Sequence, residues 1–87
     1  MTVLTALEAF VLEELALGRG IRALDPDEDL LARGIVDSLG VTQLVAFVEE
    51  RFGIAVTDDD LVPGNFQTLR RIADFVARKR AAAGAMP

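Results

Sequence analysis

Hydrophobic residues recur at helical spacing in three stretches of the chain, and a short capping motif between the second and third of them indicates a fourth helical segment. In the first stretch, apolar side chains stand three or four positions apart at Leu4, Leu7, Val11 and Leu15. Residues with this spacing share one face of an α-helix, so the pattern predicts an amphipathic helix. Gly18 follows the last of them and offers a C-terminal stop.

The second stretch holds the longest uncharged run of the chain, residues 38–48, directly after Asp37. Its apolar positions at helical spacing are Val41, Leu44, Val45, Val48 and Phe52. Phe47 widens the apolar face, and Gly53 closes the stretch. The pattern predicts a second amphipathic helix, with Phe52 in the core.

A short third helix is predicted at residues 57–60, where Thr57 and Asp60 match the ends of a capping box. Pro63 and the glycine after it are expected to end this helix almost at once. The fourth helix is predicted to begin near Thr68. Its apolar side is formed by Leu69, Ile72, Ala73 and Val76.

These four helices, with no competing strand alternation, predict an all-α fold. We expect a monomeric four-helix bundle with a long first loop and a short third helix. Eighty-seven residues are enough for one modest core, to which we assign Phe52 and Ile72. The single domain is predicted to span residues 1–80, followed by a flexible tail over 81–87.

The connection between the first two helices is unusually long, running from Gly18 to Asp37. Loops longer than about 12–15 residues in compact domains are usually functional or disordered. Disorder is disfavoured here because apolar residues recur along the loop: Ile21, Leu24, Leu30, Leu31, Ile35 and Val36. Pro26 to Arg33 is predicted to form a turn or two of helix. Gly34 permits a reversal that delivers Asp37 and Ser38 to a fixed place.

Composition narrows the chemistry that the chain can perform. It is 52% hydrophobic, which excludes a disordered tail, and it has no cysteine and no histidine. The commonest general base and metal ligand are therefore missing, and neither an enzyme nor a metal site is expected. The N-terminus does not resemble a signal peptide, and no run is long enough to span a membrane. A cytoplasmic protein is the expectation.

Charge is distributed unevenly along the chain. Residues 1–60 hold thirteen of the fourteen acidic groups and four of the nine basic ones, a net charge of −9, whereas residues 61–87 carry +4. An acidic body disfavours nucleic acid, whose phosphates need a basic surface. It favours protein partners with basic docking patches, although acidity also serves solubility alone.

Ser38 has two interpretations. It is a favourable helix cap, because its hydroxyl can accept backbone N–H groups, and it is also a possible functional hydroxyl. Gly40 lies in the first turn, where an interior glycine costs about 0.5–1 kcal/mol against alanine. Either the helix frays there, or something large approaches closely. Leu39 is expected to be an exposed apolar contact or to fold back into the core.

The segment "GIVDSLG", followed by "LVAFVEERFGI" and an acidic short helix, resembles the acyl carrier and peptidyl carrier protein family. The resemblance covers residues 4 to 80. It implies that Ser38 carries 4′-phosphopantetheine, attached from coenzyme A by a phosphopantetheinyl transferase. It further implies loading by an adenylating ligase or acyltransferase, and delivery of a thioester to a downstream synthase or transferase.

The resemblance also implies a partner-binding surface around the serine. Its predicted members are Asp37, Leu39, Gly40, Gln43, Glu49, Glu50, Asp58, Asp59 and Asp60. Fatty-acid carriers usually present carboxylates just after the serine, whereas residues 40–43 are neutral here.

The chain therefore looks most similar to the free-standing aminoacyl and D-alanyl carriers of bacteria, including those of secondary metabolism. A polyketide- or fatty-acid-type carrier is the alternative. A different class, an acidic helical adaptor with Ser38 only a cap, also stays open.

Overall fold

The first helix begins at an ordinary polar cap. In the computed structural model, which describes residues 2–16 and 20–85, α1 spans Val3–Phe10. The side chain of Thr2 accepts a hydrogen bond from the Thr5 amide. The helix then widens into a π-helical segment, Val11–Leu15. Leu7 and Val11 are fully buried, as the apolar spacing predicted. The stop predicted at Gly18 lies outside the described residues.

The long first loop packs across the bundle. Its buried side chains are Leu24, Leu30, Ile35 and Val36. The turn or two of helix predicted over residues 26–33 is reduced to separate hydrogen-bonded turns, one of which is closed by the Arg33 amide on the Asp29 carbonyl oxygen at 3.1 Å. Local competition contributes, because the Asp29 side chain takes the Ala32 amide that a helix would direct to the Glu28 carbonyl oxygen. Asp25 accepts from the amide of Asp27 at 2.8 Å, and Asp29 accepts from that of Ala32 at 2.9 Å.

The second helix, α2, spans Ser38–Phe52 and ends where predicted. Gly53 closes it in the left-handed conformation, with a φ of 67°, which glycine adopts at no steric cost. Leu44 and Val48 are fully buried, as expected for the apolar stripe. Phe52 is a correction, because it is only half-buried at the edge of the core.

The region after α2 contains one more short helix than the sequence predicted, and this helix begins at Pro63. A 3₁₀-helix spans Asp58–Asp60, and the amide of Thr57 donates to the Asp60 carboxylate at 3.0 Å, one half of the predicted capping box. Pro63 does not end this helix; it begins the next one, α3, which spans Pro63–Phe66. The fixed φ of proline suits the first helical position, where its missing N–H is not needed.

The last helix, α4, spans Leu69–Ala85 and runs beyond the predicted limit at residue 80. Residues 81–85 thus continue the helix where a tail was expected, and residues 86–87 lie outside the description. The limits of the domain stay a prediction. Across the described ranges, no residue forms a β-strand, and none of the helices is long and apolar enough to cross a bilayer.

The core lies where α4 meets α1, α3 and the loop. Its largest fully buried side chains are Phe66, Phe75, Leu7, Leu30, Leu44, Leu69 and Ile72. Phe66 and Phe75 contact each other, with ring centroids 5.5 Å apart. The all-α four-helix fold predicted from the sequence is therefore confirmed.

We predict that core and edge positions differ in their contribution to stability. Ile72→Ala should lower the free energy of unfolding by about 2–5 kcal/mol, the range for emptying a buried apolar site. Phe52→Ala should cost less, because part of the ring is already in water. Urea unfolding followed by circular dichroism measures both values, with the exposed Leu39→Ala as the control. An equal loss at positions 52 and 72 would contradict the burial described here.

Candidate functional site

The start of α2 is capped by Asp37. Its backbone is extended, with a φ of −103° and a ψ of −169°, and its carboxylate accepts from the Gly40 amide at 2.8 Å. Ser38 is the first residue inside the helix, one position too late to cap it. The interpretation of Ser38 as the N-cap is therefore wrong: Asp37 supplies the oxygen that the helix start requires.

The Ser38 hydroxyl makes no contact that stabilises the described part of the fold. The residue is exposed, and its hydroxyl makes no hydrogen bond within the described ranges. Thr42, one turn later, donates its own hydroxyl to the carbonyl oxygen of Ser38 at 3.2 Å. Leu39 beside it is 66% exposed, so its side chain faces solvent and does not fold back into the core. An exposed serine hydroxyl therefore lies next to an exposed leucine, and a contact of Leu39 with partners stays a prediction.

Gly40 packs tightly against the protein's own loop. It is buried, and a Cβ atom at this position would lie 3.1 Å from Cγ1 of Val36 and 3.4 Å from the Asp37 carboxylate. The close approach inferred from the sequence is made by the chain's own loop, and the helix does not fray there. The placement of Gly40 on a partner-binding surface is thus a correction.

The segment before the serine is tied to the far side of the bundle. The amide of Leu30 donates to the carbonyl oxygen of Gln67 at 2.8 Å, and the Leu30 carbonyl accepts from Ile35 at 3.0 Å and Val36 at 3.2 Å. The Gln67 side chain also donates to Asp29 at 2.7 Å. These bonds hold the residues leading into Asp37, and therefore fix where α2 begins.

The predicted acidic surface divides into free and engaged carboxylates. The exposed carboxylates are those of Glu50, Asp58 and Asp59. The amide side chain of Gln43 is exposed as well. Glu49 is engaged instead, accepting from the Val56 amide at 2.9 Å.

Asp60 is the third engaged carboxylate of the predicted surface, after Asp37, which caps α2, and Glu49. It accepts from Lys79 at 2.8 Å and from Thr57 at 3.0 Å. The Lys79 ammonium, helped by the Thr57 amide, holds the pKa of Asp60 below its ordinary value of 3.8. The ion pair with Lys79 joins the 3₁₀-helix at Asp58–Asp60 to α4.

Two contributors to the site were not identified from the sequence. Val36 packs against Gly40, and Thr42 hydrogen-bonds to the Ser38 carbonyl. The spacing of four between Ser38 and Thr42 was a usable signal, since residues four apart meet on a helix. The contact of Val36 had no such signal, because it depends on the path of the loop.

Comparison with known proteins agrees with this geometry. The family model described as the phosphopantetheine attachment site matches residues 11–76, which is most of the chain. The chain belongs to the phosphopantetheine-binding carrier protein family. The resemblance predicted from the sequence is thereby confirmed, together with the non-catalytic role of such carriers and their covalent cofactor, 4′-phosphopantetheine.

Two relatives indicate a branch of this carrier family. The D-alanyl carrier protein of Abiotrophia defectiva is 36% identical over 72 residues, covering 83% of this chain and 90% of the relative. The D-alanyl carrier protein of Streptococcus sanguinis strain SK36 is 34% identical over 54 residues, covering 62% and 68%. Membership in the carrier family implies that the protein interacts with transferase and ligase enzymes in general.

The start of α2 fits the family's cofactor. Asp37 occupies the amide of Gly40, and within the described residues the amides of Ser38 and Leu39 remain without an acceptor. Free amides and the positive end of the helix dipole favour a phosphate at this position. When bound, the cofactor supplies the thiol that holds cargo as a thioester.

We predict a pH-dependent contribution from Asp60. A carboxyl group whose pKa is lowered by folding stabilises the protein above its unfolded pKa, and this contribution is lost as the pH falls through the folded value. Asp60→Asn should therefore be less stable than the parent at pH 7, and the difference should shrink as the pH falls below about 4. Urea midpoints measured from pH 7 to pH 3 test this expectation. Asp58→Asn is the matched control, and a difference that stays constant over this range would refute it.

Proposed function

We propose that Ser38 is the attachment point of 4′-phosphopantetheine. The observation that carries the proposal is the exposed Ser38 hydroxyl, free of hydrogen bonds to the described residues and placed at the first position of a helix that Asp37 caps. A hydroxyl with no structural role can be modified without loss of a stabilising contact. The rival interpretation, an adaptor with Ser38 as a cap, loses its premise because the cap is Asp37.

The attachment step balances with the groups present. The Ser38 oxygen forms a bond to the phosphorus nearest the pantetheine of coenzyme A, and the pyrophosphate bridge breaks. The nucleotide portion leaves with the bridging oxygen, and the serine proton passes to a base of the transferase, because no histidine exists in this chain. The protein's own contribution is to present the hydroxyl in a fixed position beside free amides.

We propose an aminoacyl or short acyl group as the cargo, loaded by an adenylating ligase and passed to a downstream enzyme. The similarity to D-alanyl carrier proteins supports an amino acid, with D-alanine the first to test. The surface after the serine supports it as well, since Gln43 and Thr42 are exposed and neutral where fatty-acid carriers usually present carboxylates. Charge at a docking surface chiefly governs encounter rate and partner choice.

A polyketide- or fatty-acid-type carrier is the second candidate. The observation that favours it is the exposure of Glu50, Asp58 and Asp59, which leaves carboxylates free for a basic enzyme. The engagement of Glu49 and Asp60 within the protein reduces that surface. The aminoacyl cargo is therefore the better-supported proposal.

The attachment site is tested by intact mass. After incubation with coenzyme A and a broad-specificity transferase, the parent protein should gain one phosphopantetheine and Ser38→Ala none. Thr42→Ala is the matched control, because it removes the hydroxyl one turn away and should still be modified. A Ser38→Ala protein that gains the group would refute the assignment. A parent that never gains it would restore the adaptor hypothesis.

The cargo is tested by parallel loading of the holo protein. We expect thioester formation with an amino acid and an adenylating ligase, D-alanine first, and little with a malonyl transferase. Mass spectrometry scores both reactions on the same preparation, with Ser38→Ala as the blank. Efficient malonyl loading without any aminoacyl loading would overturn the cargo proposal and leave the attachment site intact.

A further inference from the structure

An aromatic seam joins α1 to α2. The rings of Phe10 and Phe47 are stacked, with centroids 4.3 Å apart and planes 18° from parallel. Phe52 meets Phe47 edge-on at 6.0 Å. All three residues pack against the core and are of intermediate burial, so part of their surface remains exposed along the seam.

Two grooves open onto this seam and share Phe47 and Arg51. One has a volume of about 310 Å³ and runs along α1 past Phe10, and the other, of about 380 Å³, extends along α2 to Glu50. The two grooves adjoin at Phe47 and Arg51, and together they are called the α1–α2 groove. Aromatic side chains are enriched at protein interfaces, because each buries a large apolar area.

The rim of the α1–α2 groove is acidic. Glu13, Glu14 and Glu50 are exposed there, against one cation, Arg51. Glu13 and Glu14 belong to the π-helical segment of the first helix. Such single-turn π segments are rare and occur frequently at functional sites. The groove thus combines an apolar floor with a rim that attracts cations.

The α1–α2 groove lies on a different side of α2 from the serine. Phe47 follows Ser38 by nine residues. At about 100° and 1.5 Å per residue, it is turned about half a circle from Ser38 and lies about 13 Å further along the helix. A side chain seated on Phe47 therefore lies on the flank of α2 opposite to the Ser38 hydroxyl.

We propose that the α1–α2 groove docks a basic amphipathic helix of an enzyme partner. An apolar side chain of that helix covers Phe47, and its lysines or arginines meet the carboxylates of Glu13, Glu14 and Glu50. Helices commonly bind in apolar grooves through side chains spaced three and four apart. Charge complementarity selects a basic occupant, since the rim carries three carboxylates for one guanidinium.

The consequence for the carrier rests on the proposed function. A partner held at Phe47 keeps the protein tethered while the arm on Ser38 remains free to enter an active site. The tether and the delivery site then act on opposite flanks of one helix. A second copy of this chain, whose residues 61–87 carry +4, is the competing occupant.

The first test uses a synthetic amphipathic peptide of leucine and lysine as the probe and the apo protein as its target. Nuclear magnetic resonance titration should shift the amides of Phe10 and Phe47. Glu13→Lys combined with Glu14→Lys should raise the Kd about fivefold or more, since rim charges govern such encounters. Arg51→Glu should lower it. A peptide of leucine and glutamate, the charge control, should not bind.

Two single substitutions that change the net charge by the same amount show whether the loss of peptide affinity depends on the position of the charge. Glu14→Lys should weaken the peptide, whereas Asp74→Lys, an exposed carboxylate on α4, should not. Equal effects of both, or shifts centred away from Phe47, would overturn the proposal. Concentration-dependent dimerisation abolished by Glu14→Lys would assign the groove to a second copy and overturn it too.

The second test uses the holo protein and its loading ligase. Glu13→Lys combined with Glu14→Lys should raise the KM for the carrier at unchanged kcat, and should leave attachment at Ser38 unaffected. An unchanged KM would contradict docking of this enzyme at the groove. Because the peptide titration needs no cofactor, a failure of attachment would refute the proposed function without deciding the groove.

Discussion

The position of the site depends on the backbone hydrogen bonds of Leu30. Its amide bonds to Gln67 at the entrance of α4, its carbonyl accepts from Ile35 and Val36, and its side chain is fully buried. Without this contact, a loop of this length could place its far end in many positions. Ordering it costs conformational entropy, which the contacts of Leu30 help to offset. Fixing the loop at its middle lets Val36 pack on Gly40, and this contact sets the entry to the second helix.

The start of α2 divides two tasks between neighbouring residues. Asp37 completes the helix, and Ser38 presents a hydroxyl that the fold does not use. Leu39 remains exposed beside it because the helix turns its apolar stripe, including Leu44 and Val48, towards the core. The same rotation leaves Phe47 on another flank. One amphipathic helix thereby presents two different surfaces, one with the Ser38 hydroxyl, the other aromatic with an acidic rim.

The sequence was sufficient where a residue type has one dominant physical effect. The helical spacing from Val41 to Val48, the glycine stop at Gly53 and the apolar positions of the loop predicted α2 and much of the core, whereas Phe52 lies only at its edge. It was insufficient where two effects compete. Pro63 can end one helix or begin the next, and only the path of the chain decides which. Asp37 and Ser38 are both good caps, and Gly40 indicated a close approach without showing that Val36 makes it.

The division between Asp37 and Ser38 has a thermodynamic meaning for a carrier. Every bond that stabilises the start of α2 is made by groups other than the serine hydroxyl: the Asp37 carboxylate, the backbone amides and the hydroxyl of Thr42. A group attached at this serine, as proposed, would therefore break none of these hydrogen bonds. The bundle would keep the bonds that hold the start of α2 whether the arm is empty or loaded.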